Sequence, residues 1–564
     1  MIKQQIKTLI EKELQKLDIT DVSIIVDYPS DAKHGDYTSN VAMVAAKKLG
    51  KNPRELAEEI KGKLKDAAMF EKVEVAGPGF LNFWIKDEVL VANKIAHSQI
   101  GKGKKIIVEY SSPNIAKPFT IGHLRTTIIG DTVANLLQAV GYEVFRDNHI
   151  GDWGTQFGKQ IAAIKKWGDI DLIQESDHPV KELVALYVKF HEEAEKNPEL
   201  EDEARAWFKK LEDGDPEARE LWQKCIEWSW KELTKIYKQL EISFTENDGK
   251  GYSEAFFENK MDPVIQELGE KHLLKEGKEG AKIIEFPEET KLPPLMILKK
   301  DGATLYSTRD LATDRFRLFE QKKYGTDVTI INEVGAEQSL YFQQLYKLEE
   351  LLGWVKPGQR IHVKHGLYKF KDGKMSTRKG NVIWLEDVIA EATLGAQKLS
   401  EESENDSASA IAIGALKWND LKRDPKQDIA FDWDEILTMQ GNSGPYMQYA
   451  YVRTQSVLGK AGSRELGTGT REQDVSLTPE ERDLLRLLVR FQEIVEEAAI
   501  RYAPQVLCTY LFELAQAFNL FYQKAPILKA EGEVRDFRLE LTRKSGEVIK
   551  HGLDLLGINV PQKM

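Results

Sequence analysis

The stretch KKIIVEYSSPNIAKPFTIGHLRTTIIGDTVANLLQAVGYEVFRDNH, residues 104–149, constrains the fold of this chain more than any other. Ile106, Ile107 and Val108 make a short apolar run suited to a buried strand. Leu124, Ile128, Val133, Leu136 and Val140 then recur at helical spacing, and Gly141 is a natural helix terminator before the chain becomes extended again. Strand, helix and strand in that order predict a βαβ unit and therefore a parallel sheet.

One such unit cannot account for 564 residues. At roughly 150 residues per domain, three or four units are expected. Residues 1–104 read as a small α+β domain: an opening helix, VSIIVDYP, the polar loop DAKHGDYTSN, helices at 41–50 and 53–66, and the strand-like KVEVAGPGFLNFWI. The α/β grammar occupies 105–400, interrupted by an acidic, mostly helical insertion at about 160–285. Strand-like PLMILKKDGATLYSTRD, DVTIINEVG and IHVKHGLYKF follow it. The remainder, 401–564, is almost purely helical and predicts an all-α bundle. Within it Thr478 caps a helix with Pro479 at its first position and acids in its first turn.

Composition narrows the function. A formal charge of −12 argues against a simple basic coat for nucleic acid. It leaves room for a protein that confines its basic groups to one face and reads a folded RNA by shape. The two cysteines, Cys225 and Cys508, sit in helical apolar stripes and read as core thiols. Neither cysteine has a second cysteine or histidine at metal-ligand spacing, and His362 and His365 of HVKH, which could suggest a metal pair, read as a strand running into a loop, so no metal site is expected. No apolar run is long enough to span a membrane, and the N-terminal MIKQQIKTLIEKELQKL is an amphipathic helix, so a cytoplasmic protein without membrane contact is expected.

Two segments carry chemistry. A helix that opens directly after a sheet strand presents unpaired N–H groups and a partial positive charge, a site for phosphate. Gly122 lets a ligand approach the backbone there, while His123 and Lys117 can add donors. Taken alone, Gly122 could merely ease a turn and His123 cap the helix. The second segment, KFKDGKMSTRKGN at 369–381, crowds Lys371, Lys374, Arg378 and Lys379 with Ser376 and Thr377 around glycines. Such a loop can close on a polyphosphate, or it can be a solvated basic turn.

Together the two resemble the paired signatures of class I aminoacyl-tRNA synthetases: TIGH (Thr120 to His123) stands where that family has HIGH, and KMSTR (Lys374 to Arg378) where it has KMSKS. The flanking blocks VEYSSPNIAKP, NHIGDWGTQFGK, LYSTRDLAT and GNSGPYMQYAYVR are similar to those of arginyl-tRNA synthetases. So are HGDYTSNVAM, VAGPGFLNF and GLDLLGINVPQKM, and the resemblance spans essentially the whole chain.

The resemblance implies a Rossmann-like catalytic domain over 105–400, an N-terminal domain that contacts the tRNA elbow, and a C-terminal anticodon-binding bundle. It implies an arginine–tRNA ligase that uses ATP with Mg²⁺, L-arginine and tRNA(Arg), activates arginine as an adenylate and transfers it to a terminal 2′ hydroxyl. Binding of tRNA is expected to precede activation, and a monomer is expected. Thr120, Gly122, His123, His365, Gly366, Met375 and Ser376 would contact ATP; Lys117, His123, Lys374, Arg378 and Lys379 would act in catalysis. Tyr306, Asp310 and Glu254 would hold the guanidinium, which needs carboxylates for paired hydrogen bonds and an aromatic face. Glu109 and Asn114 would hold the α-amino group, with Gln338 offering amide contacts. For tRNA, Phe80 and Asn82 of the N-terminal domain and Tyr446, Tyr449 and Tyr451 of the bundle are the candidates, each of which could instead be core.

Two departures stand out. Thr120 replaces the first histidine of HIGH, and Thr377 stands where KMSKS has its catalytic lysine, leaving Lys117, the preferred substitute, or Lys379 to supply the charge. A tRNA-binding relative with impaired catalysis is the rival reading. A cysteinyl enzyme fails for want of metal-binding cysteines.

Overall fold

The computed structural model describes residues 1–19, 21–93, 98–369, 383–398, 405–462 and 477–564. The apolar run at 106–108 lies in a central strand. Strands β1 (Lys105–Glu109), β2 (Glu143–Asp147), β3 (Thr329–Gly335) and β4 (Arg360–His365) form one sheet in the order β4-β3-β1-β2. Each pairing is parallel, and Asn332, Glu109 and Asp147 stand in one row across β3, β1 and β2.

Helix α1 (Ile121–Ala139) is the crossover from β1 to β2. Leu124, Ile128, Val133 and Leu136 are no more than 1 % exposed, and Ile129, Ala134 and Leu137 are buried with them. A helix apolar nearly all round belongs between two layers. The sheet covers one side of α1, and the bundle helices Asn405–Leu421, Pro479–Ile500 and Gly532–Leu555 cover the other. Each such side chain contributes about 1.5–3 kcal/mol on burial, so α1 binds the central sheet firmly to the bundle. Because β1 and β3 are neighbours whose connections leave toward opposite edges of the sheet, a crevice opens at their C-terminal ends.

The insertion is helical as expected, with helices Thr155–Trp167, Pro179–Lys196, Glu199–Glu212 and Pro216–Leu240. Asp215 caps the last through its side chain, with Pro216 at the first position. The strand within PLMILKK, however, does not rejoin the central sheet. Leu295–Leu298 pairs antiparallel with Lys282–Ile284, which pairs with Leu274–Glu276, as a separate small sheet. An isolated four-residue apolar run carries no information about its partner strand, and here the nearest chain segment wins.

In the N-terminal domain, part of the polar stretch read as loop is a strand: Tyr37–Ser39 pairs with Phe80–Ile85, which pairs with Phe70–Ala76. Tyr37 and Ser39 are buried, so the polar run has alternating burial that composition hides. This domain docks on the bundle helix Pro479–Ile500, where Glu493 accepts from the hydroxyls of Tyr28 at 2.7 Å and Tyr37 at 3.1 Å. The C-terminal region is helical where described but contributes a short strand, Ile429–Ala430, parallel to Tyr368–Lys369. Cys225 and Cys508 are buried free thiols, burial pushing Cys225 up to about 12. Among the described residues no helix is long and apolar enough to cross a membrane.

Candidate active site

β1 ends at Glu109, and the turn after it holds three non-glycine residues in the left-handed region: Ser111, Ser112 and Ala116, with φ of 72°, 44° and 56°. Each costs about 1–2 kcal/mol, so the surroundings must impose the conformation. The Ser111 hydroxyl lies 2.8 Å from Oγ1 of Thr127 on α1 and 2.9 Å from the Tyr237 hydroxyl on the insertion helix. The N–H of Ser112 donates to Oδ1 of Asn148 at 3.0 Å, and that of Ala116 to Oγ of Ser229 at 3.0 Å. Asn114 leaves this turn beside Gly151, their backbones forming a parallel bridge. A β-carbon at position 151 would fall 2.4 Å from Oδ1 of Asn114 and push that amide aside, so glycine leaves the Asn114 side chain its place.

Thr120, Gly122 and His123 then open α1 along the wall of a cleft of about 540 Å³. The N–H of Thr120 donates to Nδ1 of His123 at 3.0 Å. An imidazole whose Nδ1 accepts is neutral and carries its proton on Nε2. Burial, reinforced by nearby Lys117, pushes the His123 pKa down to about 4. At neutral pH the ring is thus an uncharged donor beside the positive end of the helix, an arrangement suited to phosphate. Lys117 itself borders an adjoining crevice with Asn114, Phe119 and Trp384, and its Nζ donates to Oε1 of Gln156 at 3.1 Å.

His365 lines the same cleft from the end of β4, its Nδ1 2.7 Å from Oε1 of Glu333. Burial lowers its pKa, but Glu333 outweighs burial and the ring is held above the usual histidine value. His362 turns to the carbonyl of Val334 at 3.0 Å, so the two rings have separate partners. Gly366, expected at the nucleotide, lies between His365 and Leu367, both of which line the cleft. A β-carbon at position 366 would lie 2.6 Å from Oδ1 of Asp428 and 2.7 Å from the Gln427 backbone, so glycine serves the close passage of the chain at 425–428.

Lys374, Met375, Ser376, Thr377, Arg378 and Lys379 lie outside the described residues. The flanks of that segment are tied to different parts of the fold. Tyr368 and Lys369 pair with the bundle strand, while Leu385 donates its N–H to the carbonyl of Phe119 at 3.0 Å and Trp384 bridges to Thr120.

The other end of the cleft is acidic. Helix α2 (Tyr306–Arg315) begins at Tyr306, so Tyr306 and Asp310 share a face, as their spacing predicts, and both line the cleft. Tyr306 stands at the rim, 58 % exposed, its ring 4.8 Å from that of Tyr341 in an edge arrangement. The Tyr341 hydroxyl donates to Oδ2 of Asp310. Burial pushes the Asp310 pKa up to about 6, with His149 and Tyr341 pulling the other way. Glu254 opens a 3₁₀ turn, its N–H donating to the carbonyl of Ile150 at 2.9 Å, and Arg309 comes within 4.0 Å of its carboxylate. Gln338 closes the turn after β3 and faces the same cleft.

Glu109 lies beneath this end. Nδ2 of Asn332 donates to its Oε1 at 2.8 Å, and Arg317 donates to its Oε2. Arg317, 1 % exposed, also bonds Asp147 at 2.7 Å and Asp314 at 3.1 Å. Burial works against a charge on Glu109, but Arg317 and then His149 outweigh it and hold the carboxylate below its usual range.

Sequence reasoning missed Arg317, His149, Tyr341, Asn332 and Glu333, all of which line the cleft. Asn332 and Glu333 leave a trace, two polar residues inside the otherwise apolar strand TIINEVG. His149 sits in a polar block straight after β2. Arg317 leaves none, because it is carried inward by a π-helical turn (Phe316–Glu320) that prolongs α2 and breaks the helical period.

Far from the cleft, Phe80 is 37 % exposed on the N-terminal domain. Asn82, expected at tRNA, is 4 % exposed and accepts from Thr38 at 2.7 Å, so as placed it supports its strand from within. Tyr446, Tyr449 and Tyr451 are half-buried on one bundle helix. The Tyr446 hydroxyl accepts from Asn519 at 2.8 Å, and the Tyr449 ring carries the Arg453 guanidinium 4.7 Å from its centroid.

Comparison with known proteins agrees with this arrangement. Residues 86–433 match the model described as tRNA synthetases class I (R), catalytic domain; 4–85 match the arginyl tRNA synthetase N terminal domain, and 447–564 the DALR anticodon binding domain. The arginine–tRNA ligase of Halothermothrix orenii is 40 % identical over 583 residues, covering 100 % of this chain and 99 % of that protein. That of Clostridium perfringens is 41 % identical over 574 residues, covering 98 % of each. The Thermus thermophilus arginyl-tRNA synthetase structure superposes with a TM-score of 0.83 at 25 % identity over 100 % of both chains. The Plasmodium falciparum enzyme has the same fold, with a TM-score of 0.84 at 24 % identity, covering 100 % of this chain and 99 % of that one. An acidic end and a helix N-terminus sharing one cleft, framed by these three matching domains, make this chain a member of the arginyl-tRNA synthetase family.

Proposed function

We infer that this protein is an arginine–tRNA ligase, activating L-arginine with ATP and transferring it to tRNA(Arg). The observation that carries this reading is the cleft itself, with buried carboxylates at one end and a helix N-terminus bearing a neutral histidine at the other. The guanidinium would lie between Asp310 and Glu254 with Tyr306 over it, the α-amino group toward Asn114 and Glu109, and Gln338 alongside. Charge-assisted hydrogen bonds of this kind are worth about 1.5–3 kcal/mol each. A neutral isostere would leave those carboxylates unpaired, which supports discrimination on the order of 10⁴ without an editing domain.

The arginine carboxylate is already a nucleophile and would attack the α-phosphorus of ATP in line, releasing pyrophosphate. Catalysis is then positioning and charge stabilisation. Nε2–H of His123, Thr120 and the amide edge near Gly122 would hold the triphosphate, His365 and Met375 would border the nucleotide, and Lys117 with Lys374, Ser376, Arg378 and Lys379 would offset charge on the leaving group. Mg²⁺ would arrive on the phosphates, whose oxygens suit it. Among the described residues no cluster of three or more His, Cys, Asp or Glu could hold a metal ion.

The terminal 2′ hydroxyl of tRNA would then attack the adenylate carbonyl. Phe80 would meet the tRNA elbow, and Tyr446 and Tyr449 the anticodon loop, where aromatic faces suit unstacked bases. The enzyme would work as a cytoplasmic monomer. Charging total tRNA with labelled amino acids tests the reading: arginine alone should be attached, and tRNA ending in 2′-deoxyadenosine should not accept it. Charging with a different amino acid, or none with arginine, overturns it.

A further inference from the structure

His149 has no part in the function described above, yet its ring lines the acidic end of the cleft. Its Nδ1 lies 3.0 Å from the carbonyl oxygen of Tyr252. A carbonyl only accepts, so Nδ1 carries a hydrogen whatever the charge of the ring, and Nε2 is the atom that titrates. Nε2 is buried without a hydrogen-bond partner and lies 3.9 Å from Oδ1 of Asp310.

The charged groups facing this ring come from every element around it: Glu109 from β1, Asp310 from α2, Glu254 from the 3₁₀ turn, Arg317 from the π turn, and Asp152 from the same loop. The Phe257 ring closes the remaining side at 5.9 Å. Burial lowers the pKa of His149, but Glu109, Asp310 and Glu254 outweigh it and hold the ring above the usual histidine value.

We propose that His149 is a further specificity-determining residue: its Nε2 holds a proton opposite Asp310 until a cationic amino acid enters, then releases that proton to solvent and accepts an N–H of the ligand. The inference rests on the reading of this end of the cleft as the arginine pocket. An imidazolium left in place would face the incoming guanidinium as a like charge in a poorly solvated cleft, whereas the neutral Nδ1–H form turns a lone pair toward it. Arginine affinity therefore falls as pH falls below the pKa of His149 in the free enzyme.

Calorimetric titration of the full chain with L-arginine at pH 7, in buffers of different protonation heat, counts the protons released. Asp310, with its pKa about 6, accounts for about a tenth of a proton at pH 7. Wild type should release clearly more than that and lose up to about tenfold in affinity per pH unit on acidification through the His149 pKa. His149→Gln should release only an Asp310 fraction, somewhat enlarged because His149 no longer lowers the Asp310 pKa, and still less than wild type. Equal release by both proteins, or none beyond that fraction by wild type, overturns the inference. Should the variant misfold, nitrogen-15 spectra of wild-type histidine rings decide. Added arginine should convert one imidazolium to the Nδ1–H tautomer, and a ring that stays charged or becomes the Nε2–H tautomer contradicts the proposal. Arginine binding without proton release sinks this inference alone; failure of arginine to bind at any pH sinks the arginine reading as well.

Discussion

Nδ2 of Asn332 donates to Oε1 of Glu109 at 2.8 Å, and the two are register partners, Asn332 in the middle of β3 and Glu109 at the C-terminal end of β1. The sheet itself therefore aims a carboxylate into the cleft. Oδ1 of Asn332 is occupied too, accepting from Tyr346 at 2.9 Å and Arg360 at 3.0 Å. Asn332→Ala strands a buried carboxylate oxygen and two donors, which should cost about 2–3 kcal/mol in urea unfolding and raise the arginine KM. Wild-type stability in the variant would mean that the bond does not order Glu109.

Asp310→Asn keeps an acceptor for the Tyr341 hydroxyl and removes only the charge. The fold should survive, while arginine kcat/KM falls on the order of 10²-fold, the loss expected when a buried charge partner is removed. Unchanged kinetics would take Asp310 out of the pocket.

Gly151→Ala tests a backbone contact. The added β-carbon meets Oδ1 of Asn114 at 2.4 Å and must displace it. An arginine KM raised about tenfold or more, with ATP KM little changed, is the expected split, since a misplaced contact of an ångström is costly. Equal loss for both substrates would point to a general collapse of the turn.

His123 links stability to pH. Its folded pKa is about 4 against an ordinary 6.5, so between those values the unfolded chain binds a proton that the folded chain does not. Stability should accordingly fall as pH falls through this window, by up to about 1.4 kcal/mol per pH unit. His123→Gln should flatten that slope in denaturation measured from pH 7 to 5, and an identical slope would show that the ring is not held neutral.

Much of the site was legible because its residues come in short local blocks. The resemblance singled out Glu109, Asn114, Tyr306 and Asp310, which line one cleft with Thr120 and His123, while spacing by itself put only Tyr306 and Asp310 on one helix face. What could not be read depends on distant pairing. Arg317 reaches Glu109 only because a π turn redirects it, and Tyr341 reaches Asp310 across two helices. A packing demand at Gly366 was equally hidden, since the chain at 425–428, distant in sequence, takes the space a side chain there would fill. For the fold, Ile106 to Val108 marked the central sheet because a parallel strand is apolar on both faces. The strand at 37–39 escaped because its burial alternates under polar residues.

The most direct test of the whole account is ATP–pyrophosphate exchange measured with each amino acid in turn, with and without tRNA. The account expects exchange with L-arginine, and only once tRNA is added. Exchange driven by any other amino acid, or none with arginine and tRNA together, would contradict it.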